Sequence, residues 1–312
     1  MSAQSVSIAA MFGWVVDSFK LLKKNIFSLM SASLVTIVLV FLMMAPMMIF
    51  MMVNMKNGAA PMAGDMTMFF AAYAITLVIS LLLFPPLLVG WFRLCKNIDQ
   101  NNAVSSLDIL KPYKDSRLWL RSLGFALLAL VIYAAVFGLF ALAFGGVISE
   151  FMQQVQAQQL AAMTGATPAP PSFSLAFFFA YFGFLAVAIF LQFIYMTGFV
   201  EISLRDTSVV ASMKLAAVGV FKNALQLIVF LFCLFIAAMI FFMIIGFILV
   251  LIVAALSFIH PVIGAVFGGI LYFIFLLCIY PLMFASHYFV WKSILGANSP
   301  ALPNIYDSTL PV

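Results

Sequence analysis

The run ALQLIVFLFCLFIAAMIFFMIIGFILVLIVAAL, residues 224–256, contains no Asp, Glu, Lys, Arg or His, and Gln226 is its one strongly polar side chain. As a helix it is about 50 Å long, well beyond the roughly 20 residues that cross a hydrocarbon core about 30 Å thick. A helix apolar on every side has no polar face to give to water, so the segment belongs in lipid. Five runs of the same kind surround it, and the spans read as about 26 to 53, 67 to 92, 119 to 147, 173 to 202, 224 to 256 and 262 to 291. The fifth is the longest and must tilt or protrude. Apolar residues are continuous within each run, without the alternation of a lipid-facing strand, so the expected fold class is all-α: a polytopic six-span bundle and not a barrel. Composition agrees, with 67% hydrophobic and 7% charged residues, against roughly 45–50% and about 25% in soluble domains.

The charges orient the bundle. Lys20, Lys23 and Lys24 precede the first span, and Arg93, Lys96, Lys111, Lys114, Arg117 and Arg121 lie between the second and third. Arg205, Lys214 and Lys222 lie between the fourth and fifth, Lys292 follows the sixth, and only Lys56 falls on the other side. The positive-inside rule then places both termini and two long loops in the cytoplasm, which gives a bacterial inner-membrane address. The net charge of +5 reflects this bias, so the expected partner is anionic membrane lipid and not nucleic acid. The first apolar run follows a basic amphipathic stretch and is too long for a signal-peptide core, so it is expected to stay as an anchor. Cys95, Cys233 and Cys278 show no paired spacing, which argues against a disulfide framework or a zinc site.

A repeat runs through the chain. Val15-Val16-Asp17-Ser18-Phe19-Lys20-Leu21 followed by Lys24-Asn25 matches Val209-Val210-Ala211-Ser212-Met213-Lys214-Leu215 followed by Lys222-Asn223, the second copy having four extra residues. Pro85 and Lys96 stand at the same spacing as Pro281 and Lys292. One membrane domain over 1–312 is therefore expected, with parallel units at about 1–98, 99–204 and 205–296 and a tail at 297–312. Each unit would be a cytoplasmic interfacial amphipathic helix followed by a transmembrane hairpin. In the first helix Ile8, Met11, Phe12, Val15, Phe19 and Leu22 form the apolar face, with Asp17, Lys20 and Lys24 opposite. In the second, Lys114, Arg117 and Arg121 share a face beside Trp119; in the third, Asp206 or Thr207 is the expected N-cap. Lys20, Lys24, Lys114, Arg117 and Arg121 are thus the candidate contacts to lipid headgroups. On the outer side, Ser149 to Ser172 reads as a Gln-rich helical extension that breaks at Pro168, Pro170 and Pro171.

Few side chains suggest chemistry. Met44, Met47, Met48, Met51, Met52 and Met55 crowd the outer half of the first span, with Met43 beside them and Met62, Met66 and Met68 following. Thioethers stacked at i+4 suit Cu(I), but methionine is also an adaptable gap-filler, and the second reading is preferred because only His260 accompanies the group. No charge lies near mid-membrane. Tyr73, Thr76 and Ser80 in the second span, Gln192 and Tyr195 in the fourth and Gln226 in the fifth could line a cavity; interhelical hydrogen bonds are the preferred explanation. Pro46, Pro85, Pro86 and Pro281 are read as kinks, and Gly264, Gly268 and Gly269 as close packing. Asp65, Glu150 and His260 are a weak outer-face acid–base group, and His287 is an interfacial anchor. No cofactor motif is found.

The elements Gly13-Trp14 to Asn25, Pro86-Leu87-Leu88-Val89-Gly90 with Arg93, Ser106-Leu107-Asp108-Ile109-Leu110, Ala211 to Asn223 and Pro281 to Ile294 resemble a loose group of bacterial six-span inner-membrane proteins of uncharacterised activity. That group looks related to the membrane domain accompanying some glycerophosphodiester phosphodiesterases. The resemblance implies a fold and an inner-membrane location and carries no catalytic residue over. The leading expectation is a non-enzymatic protein that handles a lipid-like or apolar molecule or scaffolds another membrane protein. The rivals are a Met-dependent Cu(I) transporter and a membrane-embedded enzyme at the outer interface.

Overall fold

A computed structural model describes residues 3–56, 66–163 and 174–296. Helices make up its regular structure, because each apolar run satisfies its own backbone hydrogen bonds internally. In order these are α1 (Ile8–Lys24), α2 (Ile26–Lys56), α3 (Met66–Asp99), a short 3-10 helix (Ser106–Lys114), α4 (Ser116–Met163), α5 (Leu175–Leu204), α6 (Val209–Lys222), α7 (Ala224–Ile259) and α8 (Pro261–Trp291), closed by a π-turn at Lys292–Gly296. Among the described residues five helices are long and apolar enough to cross a membrane, and a sixth span is counted when α6 and the start of α7, bent by 75°, are taken together.

The long helices pair as hairpins: α2 with α3, α4 with α5, α7 with α8. Phe50 meets Phe69 at 5.7 Å between centroids and Phe151 meets Phe177 at 4.5 Å, so the first two pairs stay together at the end remote from the basic residues. The α7–α8 pair closes on small residues. A Cβ on Gly264 would lie 2.0 Å from Ser257 Oγ, and one on Gly268 would lie 3.2 Å from Val253. Both glycines thus mark close packing, whereas Gly269 meets nothing within 4 Å.

The hairpins join at their basic ends. The C-terminal parts of α3, α5 and α8 pack on one another and carry the deepest core, including Leu87, Trp91, Phe92, Phe199 and Ile202, with Ile294 of the π-turn in the same cluster. Around this knot sit α1, α6 and the 3-10 helix. Ile109 of the 3-10 helix presses so closely on α3 that a Cβ on Gly90 would stand 2.0 Å from its carbonyl oxygen. That helix starts at a capping box, Ser105 with Asp108, in which each side chain satisfies a backbone N–H of the other. Asn101, in the left-handed conformation at φ 60°, turns the chain out of α3 ahead of it.

Two elbows are built alike. α1 ends at Lys24 and α6 at Lys222, each with an Asn as the next residue. Leu29 N donates to Asn25 O at 3.1 Å and Leu227 N to Asn223 O at 2.9 Å, and both leucines are buried.

Several expectations need correction. Lys114 does not share a helix with Arg117 and Arg121: the 3-10 helix ends at Lys114 and α4 starts at Ser116, with the Asp115 side chain accepting from Leu118 N at 3.1 Å. The N-cap of α6 is Ser208, whose side chain accepts from Ala211 N, because Asp206 is engaged by arginines. The apolar face of α1 is divided. Met11, Trp14, Ser18 and Leu21 are buried against the bundle, while Ile8, Phe12, Val16 and Phe19 are exposed. The Gln-rich stretch does continue α4 to Met163; its prolines lie outside the described residues. At 48 residues, or about 72 Å, α4 is more than twice the hydrocarbon thickness and so must project from the remote end.

Candidate functional site

Polar side chains at the basic end are used to hold the helices to one another. Glu201, fully buried, pairs with Arg205 at 3.2 Å and accepts from Trp291 Nε1 at 2.8 Å. The Arg205 guanidinium lies 5.0 Å from the Trp291 ring centroid and donates to Leu295 O at 2.7 Å. Asp99 ends α3 and receives Tyr288 Oη at 2.9 Å and Lys292 Nζ at 2.6 Å. Arg93 Nε donates to Ser203 O at 3.0 Å. Apart from the Glu201–Arg205 pair, which lies within the end of α5, each contact ties α3 or α5 to its neighbours, and the Glu201 network has no signal in the sequence, where Glu201 stands at the end of a span.

The five candidate headgroup contacts separate accordingly. Lys20 and Lys114 are exposed, Lys20 with Asp17 at 2.9 Å. Lys24, also exposed, reaches Asp99 O at 3.4 Å. Arg117 and Arg121 both bind Asp206, at 2.9 and 2.6 Å, but Arg117 is 75% exposed and Arg121 only 19%. Arg121 also donates to the carbonyls of Arg205 and Thr207, which makes it a strut between α4 and the start of α6.

A cleft of about 390 Å³ separates the first hairpin from the second. Met43 and Met44 of α2, Leu81, Phe84 and Pro85 of α3, and Ala129 and Leu130 of α4 form its walls, with Tyr133 of α4, Tyr195 of α5 and Ser80 as the hydroxyl-bearing members. No charged residue among those described lines it. A second hollow of about 320 Å³ shares Ser80, Leu81 and Leu130 and continues along α3 past Thr76, Leu77 and Tyr73. These α3 residues fall at i, i+3, i+4, i+7 and i+8, one helix face. From Tyr73 to Pro85 the face runs about 18 Å, more than half the thickness of a hydrocarbon core.

Proline has no N–H, so Pro86 leaves the Leu82 carbonyl without its helical donor, and Trp119 Nε1 fills the gap at 3.3 Å. Beside it Tyr113 Oη, from the 3-10 helix, donates to Leu83 O. Burial pushes the Tyr113 phenol above its ordinary value. The 3-10 helix and the first turn of α4 are thus tied to α3 one turn before Pro86.

Of the polar span residues, Tyr73, Thr76, Ser80 and Tyr195 come together around this space, and Tyr133 joins them; Gln192 and Gln226 line neither hollow. The interhelical hydrogen bonds expected for the four do not form among the described residues: Thr76 Oγ1 is buried without a partner, and Tyr133 and Tyr195 meet only rings. Tyr133 was missed because a single tyrosine in an apolar run carries no signal until its neighbours are known.

The methionines divide. Met43 is buried, Met47 and Met51 are half-buried, and Met44, Met48 and Met52 form an exposed stripe. Met62 and Asp65 lie outside the described residues, as do the side chains of Met55 and Met66. Among the described residues no three of His, Cys, Asp or Glu gather as a metal site would require. His260 caps α8, its Nδ1 accepting from Val262 N at 3.2 Å, while Glu150 is exposed on α4. His287 packs edge-on against Phe193 at 5.8 Å. No family model, curated protein or solved structure matches the chain.

Proposed function

We propose that this is a six-span bacterial inner-membrane protein, with both termini cytoplasmic, that holds the apolar chain of a lipid-like molecule between its first two hairpins. The charge-free cleft of about 390 Å³ carries the reading. An apolar hollow within the bilayer is filled by chains from the leaflet. The basic knot is the cytoplasmic end, because it gathers the Lys and Arg residues that the positive-inside rule holds back from crossing. α1 and α6 lie along the inner leaflet, and the exposed stripe of Ile8, Phe12, Val16 and Phe19 enters the acyl boundary with the nearby lysines at headgroup level. The matching elbows at Asn25 and Asn223 favour a repeat of amphipathic helix plus hairpin, in line with the resemblance to other six-span proteins.

Met44 and Leu130 stand at the rim, each 44% exposed, so Met44→Trp and Leu130→Trp fill the cleft without disturbing the knot. Native mass spectrometry of the gently extracted protein is expected to find lipid retained by the wild type. Displacing about four methylenes from contact, at about 0.8 kcal/mol each, weakens retention on the order of a hundredfold in the variants. Equal retention in wild type and both variants would remove the cleft from the function.

A further inference from the structure

The cleft is lined by hydroxyl groups for which the described residues provide no partners. Elsewhere in the spans serine and threonine hydroxyls turn back to the carbonyl one turn earlier: Ser33 to Leu29, Thr36 to Ala32 and Ser257 to Val253. Ser80 of the cleft and Thr76 of the adjoining hollow do not, nor do Tyr133 and Tyr195 find an acceptor among the described residues. Pro85 adds an acceptor, since it has no N–H to give to the carbonyl of Leu81, which lines both hollows. Polar groups left unpaired in hydrocarbon are costly, each by an amount comparable to a lost hydrogen bond or more. Two phenols, the Ser80 hydroxyl and a carbonyl offer both donors and acceptors. Among the described residues no cation lines either hollow to meet a phosphate or carboxylate.

Resting on the function proposed above, we infer that the cleft between the first two hairpins selects an uncharged long-chain lipid whose hydroxyl or carbonyl oxygens lie among Tyr133, Tyr195 and Ser80, and not a phospholipid headgroup. A diacylglycerol and a long-chain prenol both have this chemistry. The occupant reaches the cleft sideways from the bilayer, its apolar chain running along the α3 face towards Tyr73.

The test is competition on the full chain in nanodiscs. Four probes are offered together and read by native mass spectrometry: a diacylglycerol, a long-chain prenol, a phosphatidylglycerol with the diacylglycerol's chains, and an oxygen-free isoprenoid hydrocarbon. Preference for the diacylglycerol or the prenol over both controls is the expected result, and the favoured arm names the source. Tyr133→Phe and Tyr195→Phe, which remove only a hydroxyl, are expected to reduce that preference about fivefold each. Thermal melting checks that both remain folded. Retention of all four probes alike, or preferences unchanged in the Phe variants, overturns the inference while leaving a lipid-holding cleft in place. If no probe is retained and Leu130→Trp changes nothing, the function proposed above fails as well.

Discussion

Glu201→Ala is expected to destabilise the folded protein by about 3–5 kcal/mol, the cost of leaving a buried charge without its partner. The Glu201 side chain is 0% exposed and that of Arg205 6%, so water cannot replace the carboxylate. The substitution also takes the acceptor from Trp291 Nε1, and α5 loses its polar tie to α8 in the knot that joins the hairpins. The pair as such contributes far less than its removal costs, because both groups were desolvated to form it. Glu201→Met combined with Arg205→Met is therefore expected to recover most of the loss. Denaturant titration of the detergent-solubilised protein measures both. A single variant within about 1 kcal/mol of wild type would show that the network is more hydrated than its geometry indicates.

Asn223→Ala is the second large effect, because this side chain serves three backbone groups. Its Oδ1 accepts from Val6 N at 2.8 Å, and its Nδ2 donates to Gln4 O at 2.8 Å and Gly219 O at 2.9 Å. Each buried backbone group left without a partner costs about 1–3 kcal/mol. The loss falls on the N-terminal segment, which is otherwise tied by Gln4 N to Ile294 O at 2.9 Å and by Lys222 Nζ to Ala3 O at 2.8 Å. Faster proteolysis ahead of Ile8, with α2 to α8 intact, is the expected outcome. A protease pattern identical to wild type would mean that Trp14, which donates to Ser293 and packs on Phe230 at 5.1 Å, holds α1 unaided.

The helices were legible because a run such as 224–256 has one physical option. Their ends were legible where charge or asparagine follows the run, as at Lys24-Asn25 and Lys222-Asn223. What sequence could not give was the direction of a side chain. Periodicity puts Ile8, Phe12 and Phe19 on an apolar face, yet Trp14 and Ser18 take the buried side, because tertiary packing offers Trp14 both a ring and a hydroxyl. Arg121 reads as a surface cation until Asp206 is brought opposite it from 85 residues away. Likewise, Tyr73, Thr76, Ser80 and Tyr195 were visible as polar groups in apolar runs, but only the gap between hairpins separates a hydroxyl bonded to a neighbouring helix from one facing an open cleft.

Substituted-cysteine labelling in cells tests the arrangement on which the rest depends, namely six crossings with the basic knot at the cytoplasmic face. In a chain whose three native cysteines, one buried and two half-buried, are replaced by alanine, a cysteine at Gln154 should react with an impermeant maleimide from outside. Cysteines at Lys20 and Lys111 should react only once the inner membrane is opened. Labelling of Lys111→Cys from outside, or protection of Gln154→Cys in intact cells, would contradict it.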